Sequence, residues 1–116
     1  MSKVQESPLE CVSSVSACLS EYLDMWNLMA YDFSGTWSDR ATHQANLFPT
    51  QSAFASVDAA IHHYTSNGVS PGKLVMGMPL YARAFAHTDG IGSPFKGVPE
   101  GGAEPGNFFY NVSLSE

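Results

Sequence analysis

The chain has 116 residues, 44% of them hydrophobic and 14% charged, which suits one small folded domain and is too little for two. A net charge of -6 leaves no basic patch of the kind that nucleic acid or an anionic membrane would require, so neither partner is expected. No apolar run approaches the ~20 residues of a membrane span, and polar residues 1–10 lack the ~7–15-residue apolar core of a signal peptide.

Residues 1–20 are rich in serine, with Leu9, Val12, Val15 and Leu19 at helical spacing, and they predict a short amphipathic helix. Cys11 and Cys18 stand seven apart. On one helix that separation is two turns, too long for a disulfide, so two reduced thiols are expected. The four histidines, His43, His62, His63 and His87, have no ligand spacing, and neither a metal site nor any other cofactor is expected.

Residues 22–32 (YLDMWNLMAYD) form a nearly continuous apolar run with polar ends, the pattern of a strand covered on both faces in a parallel sheet. Alternation puts Met25, Asn27, Met29 and Tyr31 on one face and Trp26, Leu28 and Ala30 on the other. An asparagine among methionines and a tyrosine suggests a barrel interior or site wall, with Trp26 packing on the helix-facing side. Residues 33–55 are rich in Ser, Thr, Gly and Asn and read as a long loop. Val57, Ala60, Ile61 and Tyr64 resume the helical stripe, with Ser56 as cap, Asp58 in the first turn, Gly68 as stop and Pro71 just beyond.

Residues 73–80 (KLVMGMPL) make a second buried-strand pattern, so strand, helix and strand compose a βαβ unit with parallel strands. Residues 29–32 and 81–83 then fall at the carboxyl ends of those strands, where α/β folds bind ligands. Past Phe85 the chain is rich in Gly and Pro and predicts turns and short strands.

Four stretches carry a family resemblance. The run YLDMWNLMAYDFSGTWS, with Met-x-Tyr-Asp at residues 29–32, resembles the sixth barrel strand of glycoside hydrolase family 18 chitinases, the fungal ones in particular. HQANLFP at residues 43–49 is similar to a stretch of the same enzymes. SPGKLVMGMPLYARAF at residues 70–85 resembles their seventh strand, with its Gly-x-Pro-x-Tyr-x-Arg pattern, and TDGIGSPFKG at residues 88–97 the opening of their small α+β insertion.

The resemblance implies an α/β chain: part of a (β/α)8 TIM barrel, about strands 6 and 7 with the helix between them, and the start of the insertion domain. Its divisions would be a lead-in at 1–21, partial barrel at 22–86 and insertion at 87–116. It implies a chitin-hydrolysing parent in which the substrate's own N-acetyl group is the nucleophile and a glutamic acid protonates the leaving oxygen. The partner is then chitin or N-acetylglucosamine oligosaccharides. By the match, Tyr31 would align the N-acetyl carbonyl, Asp32 would bind the sugar near the cleavage point, and Met29 would line the pocket. Tyr81 and Arg83 would contact sugar hydroxyls, and Trp37 would offer a flat ring to a pyranose face. The parent family is usually secreted, whereas this chain shows no signal peptide.

The family's Asp-x-x-Asp-x-Asp-x-Glu motif, whose last residue gives the proton, does not occur among Asp24, Asp32, Asp39, Asp58 and Asp89. No catalytic residue is therefore assigned within this chain, and it is expected to be inactive alone. Ala82 stands where the family has glycine, Ala103 where relatives often have tryptophan, and Phe109 where many have aspartate, while Glu104 matches. The alternative reading is a non-catalytic, lectin-like chitin-binding protein.

Overall fold

A computed structural model describes residues 15–53, 55–100, 102 and 104–110. In chain order the elements are α1 (Val15–Tyr22), β1 (Trp26–Leu28), α2 (Val57–Ser66), a 3-10 turn (Pro71–Lys73), β2 (Leu74–Met76), β3 (Tyr81–Arg83) and β4 (Asn107–Phe109). No helix among the described residues is long and apolar enough to cross a membrane.

The expected parallel pairing is present. β1 and β2 run parallel with Trp26 opposite Leu74, Asn27 opposite Val75 and Leu28 opposite Met76. The Gly77 N–H donates to the Leu28 carbonyl at 2.9 Å and extends the ladder by one bond. Alternation along β1 sorts the side chains as the sequence implies. Leu28 and Ala30 are buried with Val57 of α2, and Phe33, Ala60, Ile61, Tyr64 and Leu74 pack around them. Trp26 lies on the same side, its ring 5.5 Å from that of Tyr64.

Burial on both faces does not follow. Met25 and Met29 on the opposite side are 56% and 77% exposed. One helix covers one face of a two-stranded sheet, and among the described residues nothing is packed over the other. An apolar strand pattern reports what its faces require, not what one short chain can supply.

Helix α2 begins and ends on the expected signals. The Ser56 hydroxyl accepts from the Ala59 N–H at 3.1 Å, satisfying one of the donors that the first turn leaves free. Asp58 lies in the first turn, at the positive end of the helix dipole. At the other end Gly68 takes φ 86, and the Val69 N–H returns to the Tyr64 carbonyl at 3.1 Å.

Two boundaries differ from the sequence reading. Tyr22 closes α1 instead of opening a strand, and β1 spans three residues. Lys73 donates to the Ser20 carbonyl and, at 2.9 Å, to the Leu23 carbonyl, placing its charge at the negative end of α1. The second strand likewise ends at Met76, and residues 81–83 open a separate sheet. The cause is local: Pro79 has no N–H to give to a ladder, so the pairing with β1 stops just before it. β3 then pairs antiparallel with β4, Tyr81 opposite Phe109 and Arg83 opposite Asn107.

The amphipathic stripe expected for α1 is not buried, since Val15 and Leu19 are 64% and 46% exposed; Leu9 and Val12 lie outside the described residues. The expectation of reduced thiols fails at Cys18, which is disulfide-bonded. The separation argument assumed one helix through both cysteines, whereas the described helix contains Cys18 alone and Cys11 lies outside the described residues.

Ser56→Ala is expected to lower stability by about 1 kcal/mol through loss of the cap. The check is the urea midpoint, which should fall in Ser56→Ala and be retained in Ser56→Asp, where an acceptor remains. Equal midpoints for wild type and Ser56→Ala would show that α2 is not part of the cooperative unit.

Candidate functional site

The site forms where the chain leaves β1 and where it enters β3. Four residues past the end of β1, Asp32 takes φ 60, a left-handed conformation that aspartate tolerates better than most residues. Its carboxylate turns toward the second sheet. The Arg83 Nε–H donates to Asp32 Oδ1 at 2.7 Å, with the Arg83 side chain 13% exposed and that of Asp32 37% exposed. Asp32 thus keeps solvent access while its positive partner is largely enclosed.

Aromatic rings surround this pair. The Arg83 guanidinium carbon lies 4.6 Å from the Trp37 ring centroid and 5.6 Å from that of Tyr81. Both distances fall within cation–π range. Tyr31 meets Tyr81 edge to face, centroids 6.4 Å apart. The structure therefore brings Tyr31, Asp32, Trp37, Tyr81 and Arg83 into one cluster. Met29 is not in contact with that cluster by any ring or polar interaction; it projects, 77% exposed, from the open side of the β1 segment.

The electrostatics follow from these contacts. The hydrogen bond from Arg83 holds the Asp32 carboxyl below its ordinary value; partial burial opposes this, and the Tyr81 hydroxyl and the Arg83 charge reinforce it. Burial pushes the Tyr81 phenol up, and its hydrogen bond to Asp32 pushes it further. At neutral pH the cluster holds an ionised carboxylate, a guanidinium and a neutral phenol. Such a set can donate to and accept from hydroxyls. Among the described residues no group of three or more His, Cys, Asp or Glu side chains could hold a metal ion.

Two glycines that the sequence reading left without a role give the rings room. A Cβ on Gly35 would lie 2.5 Å from Trp37 Cη2 and 2.6 Å from its Cζ3, so the indole rests directly on the glycine backbone. A Cβ on Gly77 would meet the Leu28 carbonyl oxygen at 2.9 Å and Tyr31 Cε1 at 3.0 Å. The legible signals were Gly35 two residues before Trp37 and Gly77 at the head of Gly-x-Pro-x-Tyr-x-Arg.

Two outcomes are expected. Because the folded Asp32 carboxyl titrates below its unfolded value, its contribution to stability is present above the ordinary carboxylate range and is lost as pH falls through the folded value. Asp32→Asn should remove that part of the acid dependence, seen as a flatter fall of the urea midpoint from about pH 5 downward. Gly77→Ala should displace the Tyr31 ring and lengthen the Gly77–Leu28 bond, visible as changed ring-current shifts at Tyr81 in NMR spectra. Unaltered Tyr31 and Tyr81 resonances would contradict the close approach.

The sequence profile described as "Glycosyl hydrolases family 18" matches residues 9–114, a span that includes all the described elements. The chain is 44% identical over 98 residues to Endochitinase 1 of Metarhizium robertsii, covering 81% of this chain and 23% of that protein. It is 40% identical over 99 residues to Chitinase 1 of Aphanocladium album, with the same two coverages of 81% and 23%. Among solved structures, the Ostrinia furnacalis Group IV chitinase superposes with a TM-score of 0.75 at 32% identity, over 83% of this chain and 30% of that one. The GH18 chitinase from Cycas revoluta in complex with (GlcNAc)3 superposes with a TM-score of 0.67 at 27% identity, over 97% of this chain and 30% of that one. The chain thus spans about a quarter of the length of these curated relatives. With its motifs in order and the family profile matched over most of its length, the chain belongs to glycoside hydrolase family 18.

Proposed function

We propose that the chain is the sugar-binding part of a chitin-hydrolysing enzyme, corresponding to barrel strands 6 and 7 and the start of the insertion domain. The divisions at 1–21, 22–86 and 87–116 belong to this proposal. The carrying observation is the cluster of Tyr31, Asp32, Trp37, Tyr81 and Arg83, whose carboxylate and indole are both reachable from solvent.

Each group has a task that its surroundings allow. Asp32, engaged by Arg83 and by the Tyr81 hydroxyl, has lone pairs left to accept from a sugar hydroxyl near the point of cleavage. Trp37 is 61% exposed, and an exposed indole suits the C–H face of a pyranose. Tyr31 donates to the N-acetyl carbonyl, aligning it with the anomeric carbon and stabilising charge that develops there. Tyr81 and Arg83 contact hydroxyls beyond the scissile bond, and Met29 lines the pocket beneath the sugar. In the parent enzyme the N-acetyl oxygen attacks the anomeric carbon while a glutamic acid protonates the leaving oxygen. That acid belongs to Asp-x-x-Asp-x-Asp-x-Glu, which these 116 residues do not contain.

The alternative reading is a lectin-like protein that binds N-acetylglucosamine chains without cleaving them. Both readings require sugar binding by this chain and differ only in what the rest of a longer protein would add.

The test pairs calorimetry with a rate assay. The purified chain should bind triacetylchitotriose, and Trp37→Ala should weaken that binding roughly 3- to 10-fold. It should release no chromophore from a chitobioside substrate. Binding unaffected by Trp37→Ala would overturn the site, and chromophore release by the wild-type chain would overturn its inactivity.

A further inference from the structure

The stretch HQANLFP contributes no group to the cluster described above, yet one of its residues touches both strands of chain that build it. The Gln44 carbonyl accepts the Phe33 N–H at 3.0 Å, immediately after Asp32. The Gln44 Nε2–H donates to the Tyr81 carbonyl at 2.9 Å, at the start of β3. Asp32 follows the first sheet and Tyr81 opens the second, and the two sheets share no strand pairing. The last backbone bond from the first sheet toward β3 is that of Gly77 to Leu28, four residues before Tyr81. Beyond it, no described backbone group of residues 78–83 bonds to β1 or β2.

We infer that Gln44 is the positioning residue of the site: its main chain and side-chain amide together set the distance between Asp32 and the Tyr81–Arg83 strand. The inference rests on the sugar-binding reading for its functional consequence and on geometry for the rest. An amide suits this task. Tyr81 offers only a carbonyl, so the partner must donate, and the side chain must reach across while its own carbonyl stays with Phe33. Asparagine is one methylene shorter, and glutamate carries no donor when ionised. Gln44 Oε1 is buried without a partner among the described residues, so the bond to Tyr81 is the polar contact that orients this amide.

Asn46, two residues on, is the natural control. Its side chain donates to the Phe48 carbonyl at 2.8 Å and the Ala55 carbonyl at 2.9 Å, and its own carbonyl accepts the Val57 N–H at 3.0 Å. It organises the same loop and touches nothing in the site.

The experiment compares wild type, Gln44→Met and Asn46→Ala in the full 116-residue chain. The first readout is the titration of Asp32 followed by its carboxyl carbon shift, which Arg83 and Tyr81, the groups facing it, both hold down. Gln44→Met should move that titration up toward the ordinary carboxylate value; Asn46→Ala should leave it in place. The second readout is affinity for triacetylchitotriose, expected to weaken roughly 3- to 10-fold in Gln44→Met alone. An unmoved Asp32 titration in a Gln44→Met chain whose α2 amides remain protected overturns the role of Gln44. So does an equal movement in Asn46→Ala. If Gln44→Met loses α2 protection, Gln44→Asn is read in its place against the same two outcomes. A moved titration without sugar binding by any chain supports the positioning role and overturns the sugar reading by itself.

Discussion

The bond from Arg83 Nε to Asp32 Oδ1 is the ion pair that joins the end of the first sheet to the second, which share no strand pairing. Each sheet has two strands, and each strand is three residues long. A two-stranded unit needs packing from elsewhere to be stable. The parallel pair obtains it from α2 on one face; the antiparallel pair is tied back by Gln44 and by the ion pair. The groups proposed to meet the substrate therefore also hold the two sheets in register. A change at Asp32 or Arg83 alters shape and binding together, and only a readout that separates them identifies its cause.

Much of this was written in the local sequence. Ser56, Asp58 and Gly68 mark α2 because capping, dipole and left-handed turn are properties of one residue and its immediate neighbours. The alternation from Trp26 to Ala30 sorts the two faces for the same reason: period two is intrinsic to the extended chain. The five clustered site residues were all named from their motifs, although nothing in spacing alone predicts that Arg83 stacks on Trp37. What was illegible depends on distant partners. The passage of Tyr81 into a second sheet required β4, 26 positions further on by the pairing of Tyr81 with Phe109 less the two-residue offset of Asn107 from it. The main-chain and amide bonds of Gln44 are long-range, and a polar residue in a polar loop carries no mark of them. The disulfide at Cys18 has no mark in the spacing, because a separation of seven excludes a bridge only when one helix holds both cysteines.

The uncovered side of β1 and β2 connects folding with function. Met25 and Met29 project there beside a cluster that is itself partly open. An apolar strand face left in water lowers stability and favours association. The same openness leaves Asp32 and Trp37 reachable by a ligand. Methionine suits such a surface, since its unbranched thioether adapts to irregular contacts at little cost in strain. The uncovered strand face carries Met25 and Met29, and the proposed sugar contacts Asp32 and Trp37 lie beyond the end of β1.

The electrostatics of the cluster separate binding from proton transfer. A general acid must carry its proton at working pH and sit within ~3 Å of the leaving oxygen. Asp32 fails the first condition, because the Arg83 bond that places it also holds it ionised. Tyr81 keeps its proton, yet burial and the neighbouring carboxylate push its phenol up and make it a weaker acid still. Glu100 and Glu104 are exposed in a Gly- and Pro-rich segment. The arrangement that makes the cluster a good holder of hydroxyls makes it a poor source of protons. In the proposed reaction, proton donation would therefore fall to a group other than Asp32 and Tyr81.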